Sequence, residues 1–197
     1  MFKPRFIRVT LLALCAFLIV PALAHADAMS DLLAAQQKLY DSRYVTEIVS
    51  TSDGDDTRVE GRFDTIKRIH MITPQAEIIV LPEGTWMKMG GNWMKSPMDI
   101  SNMMKAYLPS SAAEMRENIS NVKDEGMVKV GDLSLHAISF DQGMKVMGQT
   151  VESHNRVFLD GSGRVVRTES TGTAMGKTST SVQSIRYDDS VRVSAPK

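Results

Sequence analysis

From Arg43 onward the chain alternates apolar and polar residues in short runs, each ended by a turn-forming cluster. A repeated period of two restricts the fold to antiparallel strands joined by tight turns. Tyr44–Val49 and Thr57–Phe63 flank Asp53-Gly54-Asp55, and Asp-Gly between alternating runs is a strong hairpin signal. Ile66–Ile72 and Glu77–Leu81 follow, broken at Pro74 and ended by Pro82-Glu83-Gly84. Trp86 to Lys95 carries Trp-Met-Lys twice about Gly90-Gly91-Asn92, a further hairpin with its tryptophans near one another in register. Later runs at Met127–Val130, Leu133–Phe140, Met144–Leu159 around Gly148, Arg164–Met175, Thr178–Tyr187 and Val191–Ala195 bring the total to about ten strands. Turns at Asp160-Gly161-Ser162-Gly163 and at Gly176 make this half an antiparallel meander.

Helical spacing interrupts the pattern twice. Met29, Leu32, Leu33, Leu39 and Tyr40 fall near one face of a leading helix that Ser30 or Asp27 would cap. Between Asp99 and Ile119, two short helices are expected. Ile100, Met103, Met104 and Tyr107 share one side of the first; a Ser111 to Glu114 capping box opens the second, which carries Ala112, Met115 and Ile119. A sheet of this size must bury a face against such helices, which gives an α+β fold. Runs that are polar on both faces, such as Thr178-Ser179-Thr180-Ser181, indicate a sheet partly open to water.

The first 26 residues set the compartment. Lys3, Arg5 and Arg8 precede an apolar run from Leu11 to Val20, and Pro21 leads to Ala24-His25-Ala26. This is the pattern of a secretory signal peptide with cleavage before Asp27. The only cysteine, Cys15, lies in the apolar run behind Leu14, where lipid attachment needs a small residue. The mature chain therefore has no thiol for disulfides, metals or catalysis, and a periplasmic location is expected. Of 197 residues, 171 remain after the 26 of the leader, enough for one domain over 27–197. With 23 acids against 20 bases, and no basic cluster beyond pairs such as Lys67-Arg68, nothing favours nucleic acid.

Methionine is over-represented. Six of the 13 mature methionines lie between Met87 and Met104, beside Trp86, Trp93 and Tyr107. Irregular core packing explains part of this, since thioethers fill gaps that branched chains leave. A pliable apolar ligand surface is the sharper reading, with Trp86, Met87, Met89, Trp93, Met94, Met103, Met104 and Tyr107 as candidate binding residues. A third reading is thioether ligation of Cu(I) by Met87, Met89, Met94, Met98, Met103 and Met104, with His70 next to Met71 elsewhere in the chain. It lacks a repeated Met-x-x-Met array and a histidine inside the cluster.

No catalytic residue, cofactor site or metal centre is assigned. His70, His136 and His154 lie far apart in strand-like runs, without a His-Glu-x-x-His pair or a Gly-x-Ser-x-Gly elbow. Asp53-Gly54-Asp55-Asp56 lacks the alternating acids and closing glutamate of a calcium loop.

The order of elements resembles the LolA-like superfamily of exported lipoprotein carriers, with its LppX/LprG-like and RseB-like relatives. The resemblance rests on a leading helix, antiparallel strands, the Trp-x-Lys...Gly-x-Trp-x-Lys hairpin, a helical insert and a long meander ending in Tyr187-Asp188-Asp189-Ser190-Val191-Arg192-Val193. It implies an incomplete β-barrel, a curved antiparallel sheet whose apolar concave face is covered by short helices. It further implies a non-enzymatic periplasmic carrier of lipid or lipoprotein acyl chains, with transient membrane contact and an envelope protein as possible partners. An envelope-sensing regulatory domain is the alternative. The chain departs from carriers of this type in having few aromatics and no matching lid arginine, so methionine stands where aromatics are expected.

Overall fold

The structure is a computed structural model and describes residues 21–97, 112–146, 149–174 and 176–196. Helix α1 spans Pro21–Tyr40 and helix α2 spans Ala112–Glu117. The strands are β1 (Tyr44–Ser52), β2 (Asp55–Thr65), β3 (Arg68–Ile72), β4 (Glu77–Leu81), β5 (Gly84–Met89), β6 (Asn92–Lys95), β7 (Ile119–Val130), β8 (Leu133–Val146), β9 (Gln149–Leu159), β10 (Val165–Ala174) and β11 (Lys177–Tyr187). All belong to one curved, unclosed antiparallel sheet of order β6-β5-β4-β3-β2-β1-β11-β10-β9-β8-β7. Two meanders, β1–β6 and β7–β11, are thus welded where the first strand pairs with the last, from Tyr44 opposite Tyr187 to Ser52 opposite Ser179.

Local chemistry explains the hairpins. Asp53 and Gly54 have φ of 54° and 89°, and Gly90 and Gly91 have 56° and 87°. Positive φ at both central residues is the two-residue turn whose twist matches that of the strands it joins. The second turn sets Met87 opposite Met94 and Lys88 opposite Trp93.

Several expectations need correction. Helix α1 is described from Pro21 and runs through Asp27 and Ser30, so neither caps its start. Helix α2 stops at Glu117, and Ile119 already belongs to β7. Strand β7 begins well before Met127 because positive φ at Asn121 and Gly126 accommodates register shifts that break the alternation without ending the strand. Val191–Ala195 forms no strand: both sides of β11 are taken, by β1 and β10, so the tail crosses the sheet as a strap. The first expected helix of the insert lies outside the described residues.

The main core lies between α1, α2 and the concave face. Ala28, Leu32, Ala35 and Leu39 form the buried stripe of α1 and meet Tyr44, Phe63, Ile69, Val80, Ile138, Val157, Leu159 and Ile185, with Met115 of α2. Tyr44 and Phe63 stack with ring centroids 4.5 Å apart. Gly61 makes room for this stack, since a Cβ there would sit 2.9 Å from both Phe63 Cε2 and Thr46 Cγ2. On the convex face, Val191 and Val193 of the strap are buried against Ile79 and Leu81.

Candidate functional site

Strand pleating sends successive side chains to opposite faces, and the register fixes which residues share one. Ile185, Thr46, Gly61, Met71, Ile78, Met87 and Met94 are paired in sequence across β11, β1, β2, β3, β4, β5 and β6. Because Ile185, Thr46, Met71 and Ile78 pack with or beside the helix-covered core, this row runs along the concave face. Its inner end is buried. Toward the β6 edge it opens, with Met71, Ile78 and Met87 half-buried and Met94 53% exposed. Met89 shares this face and is 59% exposed.

Trp86 and Trp93 lie on the other face. They pack beside Ile79, Leu81, Val191 and Val193, with Lys95 Nζ 5.4 Å from the Trp86 ring centroid and Lys88 Nζ 5.7 Å from that of Trp93. The hairpin therefore separates its tryptophans from Met87, Met89 and Met94, although they adjoin in sequence. Met103, Met104 and Tyr107 lie outside the described residues. Met71 and Ile78 complete the row and were not singled out from the sequence; the β3–β4 pairing that places them is set by Thr73 and Ala76, whose backbone and hydroxyl hydrogen bonds close the turn.

The rest of the concave face is of another kind. Thr57, Ser50, Ser181, Ser170 and Asn155 form an in-register polar row, in which Ser170 Oγ donates to Asn155 Oδ1 at 2.7 Å. This matches a sheet with polar residues on both faces. A separate cavity of about 570 Å³ lies beside α1, lined by Asp31, Lys38, Met127, Ser134, His136 and Asp160 among others.

His70, His136 and His154 sit apart, each beside a carboxylate. His70 Nε2 is 2.9 Å from Glu77 Oε1, His136 Nε2 is 2.6 Å from Asp124 Oδ1, and His154 Nδ1 is 2.7 Å from Asp141 Oδ1. Among the described residues no three His, Cys, Asp or Glu side chains converge as a metal site. His70 and Met71 point to opposite faces of β3, so this imidazole does not join the methionine row.

These pairs make the fold sensitive to acid. Hydrogen bonds from His136 and His154 hold Asp124 and Asp141 below the usual carboxylate range. Lys88, with His70 adding to it, does the same for Glu77. Asp64 is lowered chiefly by Arg43, whose Nε donates to Oδ1 at 2.7 Å, while the Val193 N–H donates to Oδ2. Carboxylates whose pKa is depressed by folding stabilise the fold above their unfolded value, and that contribution is lost as pH falls through the folded value. The urea midpoint should therefore fall as pH drops below about 4. Asp64→Asn should lower the neutral-pH midpoint and shrink the acid-induced fall, because part of it is already lost. A midpoint unchanged from pH 7 to 3 would contradict this reading.

No family model matches the sequence, and no curated protein matches it. Solved structures do. The lipoprotein LppX of Mycobacterium tuberculosis matches with a TM-score of 0.55 at 14% identity, over 86% of this chain and 99% of that one. LprF from Mycobacterium bovis matches with a TM-score of 0.55 at 10% identity, over 87% and 97%. A chain of the Pseudomonas aeruginosa MucA/MucB complex gives 0.50 at 10% identity, over 87% of this chain but 59% of that one. Across such distant sequences the likeness is one of fold. The chain has the fold of LppX and LprF.

Proposed function

We propose that the chain is exported, loses residues 1–26, and works in the cell envelope as a non-enzymatic binding or carrier protein for a lipid or acyl chain. The observation that carries this reading is the apolar row Met71-Ile78-Met87-Met94, which leaves the core and becomes exposed along the concave face. A linear acyl chain needs an extended apolar track rather than a compact pocket, and unbranched thioethers repack around variable chains at low cost. Met89, and Met103, Met104 and Tyr107 by their sequence position, would widen that track. Trp86 and Trp93 would act from the convex face as its support.

A second reading has one observation behind it. The likeness to a chain of the MucA/MucB complex supports an envelope-sensing domain that binds a protein through the same fold. Native mass spectrometry of the protein recovered from its own envelope distinguishes these readings. The expected spectrum shows a chain beginning at Asp27 with an added mass that organic solvent extracts as lipid. Bound copper, or a lipid-free protein that also fails to bind a fluorescent acyl probe, would overturn the carrier reading.

A further inference from the structure

The β5–β6 hairpin has a composition found nowhere else in the chain. Between Gly84 and Lys95 stand both tryptophans of the protein, three methionines and two lysines, with no aspartate or glutamate. Among the described residues it forms one edge of the sheet, with β6 paired only to β5. At its tip, a Cβ built on Gly90 or Gly91 would meet nothing within 4 Å. Met89 and Met94, two of the four exposed large apolar residues among those described, flank this tip.

We infer that this hairpin docks the protein, by its tip and β6 edge, onto an anionic lipid surface. Tryptophan and lysine together suit the headgroup region, where the indole takes the apolar boundary and the ammonium reaches phosphate. Lys95 is already placed for this, its ammonium 5.4 Å from the Trp86 ring centroid; the Lys88 ammonium, 5.7 Å from that of Trp93, donates to Glu77 instead. Glu77 offsets Lys88, which it holds in an ion pair, but Glu83 pairs with Arg68, which leaves Lys95 to carry the charge of this edge. Entry by the tip and the β6 edge together brings Met89 and Met94 to the acyl boundary from one face, and Trp93 with Lys95 to the headgroups from the other. The charge specifies an anionic surface; the exposed thioethers specify contact with acyl chains rather than adsorption by charge alone. The methionine row ends at Met94, so a docked hairpin places its open end beside the bilayer. Transfer of a ligand at that point rests on the carrier reading; docking does not.

Because the tryptophans are confined to this hairpin, intrinsic fluorescence reports on it directly. The exported protein should co-sediment with vesicles of phosphatidylethanolamine and phosphatidylglycerol, less at high salt, and bind phosphatidylcholine vesicles weakly. Brominated acyl chains in the anionic vesicles should quench its fluorescence. Lys95→Gln should weaken partitioning about fivefold, the value of one lysine near such a surface, and Met89→Ser with Met94→Ser should weaken it further. Lys129→Gln, on the opposite edge strand, should match the native protein. The inference is overturned by no sedimentation, by sedimentation with unquenched tryptophans, by equal binding to phosphatidylcholine, or by Lys95→Gln and Lys129→Gln behaving alike. Binding of an acyl probe in vesicle-free solution tests the carrier reading separately, so the two can fail independently.

Discussion

Serine at both Met87 and Met94 should weaken binding of a fluorescent fatty-acyl probe by more than tenfold, whereas leucine at both should leave it within a few-fold. The two side chains face each other across β5 and β6 at the open end of the concave row. Full burial of a side chain of this size is worth about 1.5 to 3 kcal/mol, and tenfold in affinity is about 1.4 kcal/mol. Even half-realised burial of two such chains by a ligand therefore exceeds the threshold. Leucine keeps the apolar area and nearly the volume, a change that well-packed sites tolerate at less than about 1.5 kcal/mol. The same leucine variant removes the paired sulfur donors and would abolish Cu(I) binding at this place. Equilibrium titration by fluorescence, with circular dichroism to confirm folding, reads both variants. Undiminished probe binding by a folded serine variant would remove the row as the ligand track.

The largest loss of stability is expected on α1. Leu32 is fully buried at the centre of the stripe Ala28-Leu32-Ala35-Leu39 that closes the concave face. Leu32→Ala should cost about 2 to 5 kcal/mol through lost transfer energy and the cavity left behind. For a protein of this size that lowers Tm by roughly 10 °C. Its neighbour Leu33 is only partly buried against the same core, so Leu33→Ala should cost distinctly less. Thermal unfolding of the two variants measures the difference. Equal losses would mean that α1 does not dock through the stripe the structure shows.

Much of the sheet was legible because its signals are local. Asp53-Gly54 and Gly90-Gly91 specify two-residue turns, and a two-residue turn fixes register: once it is placed, Met87 must oppose Met94 and Trp93 must oppose Lys88. The separation of tryptophans from methionines was implicit in that register too. Grouping them by nearness in sequence obscured it, because neighbours on a strand face opposite ways.

Other features carried no local signal. Val191-Arg192-Val193 alternates as a strand does, yet it joins no ladder: the Val191 N–H turns back to the Asp188 carbonyl, while distant side chains take Val193, whose N–H donates to Asp64 and whose carbonyl accepts from Arg68. Nothing near position 191 announces those partners, which lie in β2 and β3. Strand β7 was shortened in the sequence reading because its register shifts disguised its alternation.

By itself, then, the sequence determined the antiparallel hairpins, the amphipathic leading helix and the concentration of methionine on one hairpin. Each of these follows from interactions between residues close in the chain, where turn chemistry and side-chain period suffice. Only the tertiary structure decided that β1 pairs with β11, joining two meanders into one open sheet, and that Ile185, Met71 and Ile78 align with Met87 and Met94 in a single row. Bringing Tyr44 beside Tyr187 closes a loop of most of the chain, whose entropic cost no local pattern offsets. It is met by burying α1 against residues drawn from both meanders, a gain that exists only when all of them are in place.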